Sequence, residues 1–290
     1  MAGEATRGQA AAGRRTIRES VNEYGRGIAG GLIFSMPLLY TVEVWHHGES
    51  SSPLRLGVGM LVTLLLLIGY NRYAGLHPDA SFAEVLIDSV EELGLGLVLA
   101  ALVLWLVGEI GPQMRPGTIV GTVLAEGLLV AIGVSVGTAQ LGGGGNGDEK
   151  AAGKGDLKDA GMLATVTLNT CGAVLIAANV APTEEVMLIA AAVDSARLLG
   201  LVALGLGISA VITFYSDFIG SRRGEPPSAL EIVGETALTY AVSLVVSAAL
   251  LWFFGRLDGL ALASILAPAV VLSVPAALGA SAGRLLLQSG

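Results

Sequence analysis

The chain has 290 residues, of which 53% are hydrophobic and 14% are charged, and its mean hydropathy is +0.72. A typical soluble domain carries about 25% charged residues, so this composition excludes an ordinary soluble fold. Several stretches of about 20 apolar residues are each long enough to cross the roughly 30 Å hydrocarbon layer as a helix. The formal net charge of −8 leaves no basic patch for phosphates and argues against a nucleic-acid partner.

The apolar runs predict an all-α, polytopic membrane protein with eight transmembrane helices. Residues 1–16 precede the first run and are expected to form a disordered tail. The predicted helices, in chain order, span 27–46, 54–73, 84–108, 117–140, 162–190, 197–218, 231–254 and 260–286. The glycine-rich stretch 141–161, of mixed charge, predicts a flexible linker.

The basic residues predict the orientation, because Lys and Arg are retained on the cytoplasmic side. With the N-terminus inside, twelve of the 16 basic residues fall inside and four fall outside. The four outside are Arg55, Arg115, Arg197 and Arg256. Three tryptophans lie at predicted outer ends, as an interfacial belt would place them: Trp45, Trp105 and Trp252. Both termini and the linker are therefore expected in the cytoplasm.

The two halves of the chain match each other in sequence. At an offset of 142 residues, Thr41 meets Thr183, Glu43 meets Glu185 and Arg55 meets Arg197. At 147, Ser81 meets Ser228, Glu84 meets Glu231, Trp105 meets Trp252 and Gly108 meets Gly255; at 146, Gly133, Ser135 and Gly137 meet Gly279, Ser281 and Gly283. We therefore expect two four-helix repeats, 17–140 and 162–290. An even number of helices makes them parallel, about a pseudo-two-fold axis along the membrane normal.

The beginning of the first repeat has a recognisable pattern. EYGRG at 23–27 is followed by a glycine pair at 30–31, by Pro37 and by YTVEVW at 40–45. This stretch resembles the opening of a bacterial family known only as integral membrane proteins of unknown function, and the resemblance covers most of the chain. It implies an eight-helix protein of the bacterial inner membrane. It supplies no activity, substrate or catalytic residue.

The helix-break regions carry the first candidate site. An ionisable side chain in hydrocarbon costs several kcal/mol unless it reaches water, a partner or an interface. Pro182 predicts a break in the fifth helix, and a break frees carbonyls that can bind a cation. The predicted pathway residues are Thr41 and Glu43 in the first half and Asn179, Thr183, Glu184 and Glu185 in the second. The alternative is that Glu43 and Glu185 mark the outer membrane surface, paired with Arg55 and Arg197.

Acidic residues near the starts of the third and seventh helices form the second candidate. They are Glu84, Asp88, Glu91, Glu231 and Glu235. Spacings of three, four and seven place each set on one helical face, where like charges repel, so they predict an acidic cytoplasmic approach for cations. The alternative is a solvated first turn, because acidic residues suit the helix dipole.

Three further features involve only a few residues each. Glu126 lies about one-third of the way along the fourth helix with Leu272 at the matching position, which predicts a proton-carrying or a packing role. Glu43, His46 and His47 have metal-ligand spacing on a helix, a weak metal candidate against two exposed histidines. Asn169, on the fifth helix, either lines a pathway or hydrogen-bonds between packed helices.

The sequence lacks a phosphate-binding loop, a HExxH motif and a nucleophile elbow, so we expect no enzymatic activity and no cofactor. We interpret the chain as a proton-coupled or ion-driven transporter of a small cation through embedded carboxylates. Glu185 is the carboxylate expected to matter most. The alternatives are an oligomeric cation channel, whose partners are copies of the same chain, and a non-transporting membrane scaffold or sensor. In each case the lipid bilayer is the surrounding partner.

Overall fold

A computed structural model describes residues 17–75, 80–141, 157–220 and 228–288. The predicted tail and most of the predicted linker lie outside these residues. The described residues are helical and contain no strand. The helices are α1 (Ile17–Leu39), α2 (Val42–Ser50), α3 (Pro53–Ala74), α4 (Phe82–Val107), α5 (Pro116–Gln140), α6 (Leu157–Ala177), α7 (Glu184–Ala192), α8 (Ser195–Gly220), α9 (Ala229–Phe253) and α10 (Leu262–Gln288).

Six of the described helices are long and apolar enough to cross a bilayer: α3, α4, α5, α8, α9 and α10. Helices α1 and α2 meet the same criterion only as a pair, bent by 86°. The described chain therefore has six candidate spans, or seven with the bent pair. The predicted number of eight is not confirmed, because the stretches expected at 27–46 and 162–190 are each divided into two shorter helices.

Local sequence explains both breaks. Helix α1 contains Pro37 near its end, and the chain turns at Thr41, whose backbone is extended (φ −102°, ψ 107°). In the second half, α6 ends at Ala177 and a run of turns containing Pro182 leads to α7. Proline cannot donate a backbone hydrogen bond, so a continuous helix is disfavoured at both places. The break that Pro182 predicted is thus present, with Thr183 as the extended N-cap residue of α7.

Helices α4 and α9 begin and end in the same way. Each starts with a capping box, in which a serine accepts from a glutamate N–H and the glutamate accepts from the serine N–H. The pairs are Ser81 with Glu84 and Ser228 with Glu231. Each helix is followed by a glycine with positive φ, Gly108 at 84° and Gly255 at 71°. Glycine is favoured there because L side chains rarely adopt this conformation.

Glycines also allow α1 to pack closely on α5, and α6 on α10. A Cβ atom on Gly30 would clash with the Gly137 Cα and would lie 2.7 Å from the Gly133 carbonyl oxygen. A Cβ atom on Gly172 would clash with the carbonyl oxygen of Gly279 and lie 3.2 Å from the Gly283 Cα. Small residues are the usual means of close backbone approach between membrane helices. Helix α5 lies at the centre of the first half, and 78% of its apolar segment is buried within the protein.

The halves meet through unlike surfaces. Helix α3 packs against α6 and more lightly against α9, and α1 and α5 also contact α6. Under a two-fold axis, each contact between the halves would recur with the two halves exchanged. The contact of α3 with α6 would recur between α8 and α1, and that of α3 with α9 between α8 and α4. Neither pair packs comparably in the described part of the chain. The predicted 180° rotation is therefore not reflected in the way the halves meet.

One ion pair joins the halves at their surface. Arg55 binds Asp258 through both guanidinium nitrogens, at 3.0 and 2.7 Å, and lies over the Trp252 ring. This guanidinium holds the pKa of the Asp258 carboxyl below its ordinary value of 3.8. A carboxyl with a depressed folded-state pKa contributes stability above its unfolded value and loses it as the pH falls toward the folded one.

We therefore expect Asp258→Asn to destabilise the protein at neutral pH by about 1 kcal/mol or less, as is typical of surface pairs. Thermal unfolding in detergent should show this as a Tm difference that disappears as the pH falls well below 3.8. Asp194→Asn is the control, because Asp194 is exposed and its Arg197 partner is 3.9 Å away and only three residues along. A Tm difference that grows in acid would contradict the pairing.

Candidate functional site

A polar cavity lies within the first half. It is lined by residues from α1, α3, α4 and α5 and lies at the end of the bundle where α5 ends and α6 begins, here called the linker end. The opposite end, with Trp45, Trp105 and Trp252, is called the tryptophan end. The space open to the centres of water molecules is about 70 Å³. One water needs about 10–15 Å³ by this measure, so several waters or a partly hydrated ion fit.

Glu92 and Asn71 form the inner part of the cavity. The Asn71 amide donates to the Glu92 carboxylate at 2.7 Å and to the Ser89 hydroxyl at 3.1 Å. The Ser135 hydroxyl donates to the Asn71 carbonyl oxygen at 3.3 Å and also interacts with the Glu92 carboxylate. Helices α3, α4 and α5 each supply part of this network, so one carboxylate is held among neutral oxygens facing the cavity.

The mouth of the cavity is acidic. Tyr24 donates its hydroxyl to Glu91 at 3.1 Å, which joins the start of α1 to α4. Glu23 and Asp88 also line the space, so with Glu92 the described lining carries four carboxylates and no Lys or Arg. Clefts lined by charge of one sign raise the local concentration of counter-ions, which here are cations.

Sequence reasoning missed Glu92 and Asn71. The face of α4 that carries Asp88 and Glu91 continues to position 92, four residues beyond Asp88, so helical spacing could have indicated it. An amide near the end of α3 was a second available signal. What sequence could not supply is their contact, because it depends on how α3 and α4 are rotated against each other.

The predicted cytoplasmic approach is divided between two roles. Asp88 and Glu91 line the cavity, whereas Glu84 and Glu231 fold back to accept the N–H groups of Ser81 and Ser228 at 2.7 and 2.8 Å. The last residue of the set, Glu235, is half-buried on α9 and does not line the cavity. The structure thus brings only part of this set to one place.

Glu126 lies apart from the cavity, in the core. Its residue exposure is 0%, and neither carboxylate oxygen has a hydrogen-bond partner. It shares a face of α5 with Thr122 and Gly133, which contact α2 at Gly48 and α1 at Gly31, respectively. Glu126 therefore lies on the face of α5 that the bent α1–α2 pair covers. An ionised carboxylate without a partner costs several kcal/mol there, so the neutral acid is the form this position accommodates.

The predicted helix-break residues lie at the tryptophan end. Glu184 and Glu185 are exposed in the first turn of α7, and Glu43, in the first turn of α2, is half-buried. The Glu185 carboxylate lies beside its own backbone N–H and the Thr183 hydroxyl. Neither predicted partner is bound to them, because Arg55 pairs with Asp258 and Arg197 lies beside Asp194.

The carbonyls that the breaks could free are bound within the protein. Asn179 donates to the Phe34 carbonyl at 3.0 Å and accepts from the Leu38 N–H at 3.0 Å. Its side-chain amide thus binds backbone groups on both sides of Pro37 in the chain. Arg256 donates to the Pro182 carbonyl. The corresponding threonines close the turns, since Thr41 donates to the Pro37 carbonyl and Thr183 to that of Val180. In this conformation these carbonyls already accept hydrogen bonds from side chains of the protein.

The two histidines of the predicted metal set, His46 and His47, lie in different surroundings. His47 is buried against the rings of Phe253 and Phe254, and Ser51 is hydrogen-bonded to its ring. His46 is exposed and bonded to a backbone carbonyl of its own helix. Within the described ranges, no group of three His, Cys, Asp or Glu side chains could hold a metal ion.

The spans, the bent pair and the enclosed polar groups define a helical, multi-pass integral membrane protein. A family model described as "Putative integral membrane protein (DUF2391)" matches residues 23–287, and the chain belongs to that family. The resemblance seen in the opening of the first repeat is thereby confirmed. No curated protein and no solved structure matches the chain.

Proposed function

We propose that the protein moves a small cation across the membrane, coupled to protons or to another ion, and that the cavity around Glu92 is its binding site. The observation that carries this proposal is one carboxylate held by Asn71 and Ser135 in a space large enough for several waters within a membrane bundle. Hard cations bind carboxylate, amide and hydroxyl oxygens, and all three are present here. The proposal includes that the protein transports its ion and catalyses no reaction.

The arrangement of the carboxylates favours a singly charged cation or a proton. No three acidic or histidine side chains in the described residues converge as they would around a tightly held divalent ion. A single carboxylate with neutral oxygens can compensate one positive charge and leave the complex neutral. The acidic mouth at Glu23, Asp88 and Glu91 would concentrate cations ahead of the site.

Glu126 is the proposed proton carrier. Its enclosed position favours the neutral acid, and exposure to water would favour release of the proton. The element whose movement would expose it is α2, which packs backbone against backbone on α5 at Gly48 and Thr122. Discontinuous helices beside a binding site are common in transporters. Glu43, Glu184 and Glu185 remain a predicted second set, at the tryptophan end.

We also infer that the chain is an internal duplication of two parallel repeats of five helices each, α1–α5 and α6–α10. The starts of α2 and α3 recur 142 residues later, that of α4 recurs after 147 and that of α5 after 146, the same offsets as in the sequence comparison. The capping boxes, the positive-φ glycines and the close glycine contacts support the same correspondence. On this reading α1–α2 and α6–α7 are two broken spans, which makes eight crossings.

Flux into proteoliposomes tests the proposal. A panel of monovalent cations is supplied with and without a pH gradient, and we expect saturable uptake of at least one cation that the gradient accelerates. Voltage-driven unitary currents would instead support a channel. Absence of flux for every cation under both conditions would support a scaffold or sensor and overturn the proposal.

A topology experiment tests the proposed location in the inner membrane. Reporters fused within 142–155 should read cytoplasmic, and reporters fused within 50–52 should read external, because the predicted topology puts twelve of the 16 basic residues on the side of the linker. An external signal from 142–155 would contradict both the orientation and parallel four-crossing repeats.

A further inference from the structure

The place that corresponds to the inner part of the Glu92 cavity, around Asn71, Glu92 and Ser135, is also polar in the second half, but uncharged. At the offsets relating the halves, Asn71 corresponds to Thr213, Glu92 to Thr239 and Ser135 to Ser281. The three second-half side chains are all buried. They lie on α8, α9 and α10, which pack on one another as α3, α4 and α5 do. The second half therefore keeps the hydroxyl groups of the site without its carboxylate.

The halves differ at one more matched pair of positions near this site, which holds Gly27 in the first half and Asn169 in the second. A Cβ atom on Gly27 would lie 2.9 Å from Thr138 Oγ1, 3.0 Å from Val134 Cγ1 and 3.5 Å from Leu95 Cδ2. All three of these neighbours line the cavity. Because glycine has no side chain, it packs behind these three residues and lets them keep their positions in the cavity wall. A larger side chain at 27 would have to enter the space or displace its wall.

Asn169 supplies such a side chain in the second half. It is 0% exposed, and its amide nitrogen donates to Thr239 Oγ1 at 3.1 Å. Thr239 is the residue that corresponds to Glu92, so the amide reaches the place where the first half holds its carboxylate. The Asn169 Oδ1 atom has no hydrogen-bond partner. A buried amide oxygen left unpaired is costly, which indicates that packing places the side chain here.

We propose that the residues at 27 and 169 decide which half binds the ion. Gly27 leaves the carboxylate site of the first half open to water and small cations. Asn169 fills the corresponding space of the second half and closes it, so each chain has one ion site. The nature of the ion rests on the proposed function, whereas the open and closed states of the two spaces do not.

Thiol accessibility tests this without any transport measurement. Cys171, the one cysteine of the chain, is buried and is replaced by alanine. Ser135→Cys and Ser281→Cys then report on the two matched positions. Ag⁺ is the probe, because it is a small cation that reacts with thiols, and the thiols left unreacted are counted after denaturation. Ser135 and Ser281 are equally buried, at 1% exposure, but Ser135 lines the described cavity and Ser281 does not. We therefore expect Ser135→Cys to react roughly tenfold faster or more than Ser281→Cys.

Variants at the two deciding positions complete the test. Asn169→Gly should raise the reaction rate of Ser281→Cys about tenfold, and Gly27→Asn should lower that of Ser135→Cys by a similar factor. Asn169→Ala and Gly27→Ala are the milder variants to use if either protein elutes as aggregate. Equal reactivity of the two cysteines, or no response to position 169, would overturn the inference. Accessibility as expected without any cation flux would overturn only the proposed function.

Discussion

Glu92→Gln is expected to abolish most cation uptake while leaving the protein folded and inserted. The glutamine keeps the size of the side chain and can still accept a hydrogen bond from Asn71. We therefore expect the hydrogen bonds among positions 71, 92 and 135 to be retained. What it loses is the negative charge that compensates a cation stripped of part of its water. A charge-assisted hydrogen bond or equivalent contact contributes about 1.5–3 kcal/mol, so we expect uptake to fall roughly 10- to 100-fold.

Two matched variants separate this effect from a general loss of charge. Glu235→Gln removes a half-buried carboxylate from α9 that does not line the cavity, and uptake should be retained. Glu185→Gln tests the site that the helix-break pattern predicted, and it too should transport, because that carboxylate is exposed at the start of α7. Uptake that survives in Glu92→Gln and disappears in Glu185→Gln would move the site to the broken helix.

Gly30→Ala is expected to have the largest effect on stability. Its methyl group would meet the Gly137 Cα and the Gly133 carbonyl oxygen, which are backbone atoms that cannot rotate away. Helices α1 and α5 would have to separate, with loss of contact along both. Overpacking a close-packed site costs about 1–3 kcal/mol and occasionally more. We expect about 3 kcal/mol here, measured as a lower Tm in detergent.

The control lies on the same helix. Gly25→Ala adds the same methyl group where nothing lies within 4 Å, and it should leave the Tm unchanged or raise it slightly, because alanine favours helix. Gly172→Ala should repeat the effect of Gly30→Ala, since its methyl group would meet the Gly279 carbonyl oxygen. Equal Tm values for Gly25→Ala and Gly30→Ala would contradict the close approach of α1 and α5.

Local features of the fold could be predicted from the sequence for physical reasons. Pro182 removes a backbone donor, so the break before α7 needs no tertiary information. The serine–glutamate pairs that begin α4 and α9 are three residues apart, and the hydrogen bonds of a capping box need only that spacing. The predicted number of eight spans is not confirmed, because hydropathy does not distinguish one helix that crosses from two shorter ones meeting at 86°.

The sequence by itself determined the class of protein and the break at Pro182, because these depend on composition and on the missing backbone donor of proline. Only the tertiary structure decided which polar groups meet. Glu92 meets Asn71 across 21 residues, Asn179 meets Leu38 across 141, and Arg55 meets Asp258 across 203. The reason lies in the solvent: lipid is as apolar as the core, so hydrophobic periodicity does not show which face of a membrane helix turns inward.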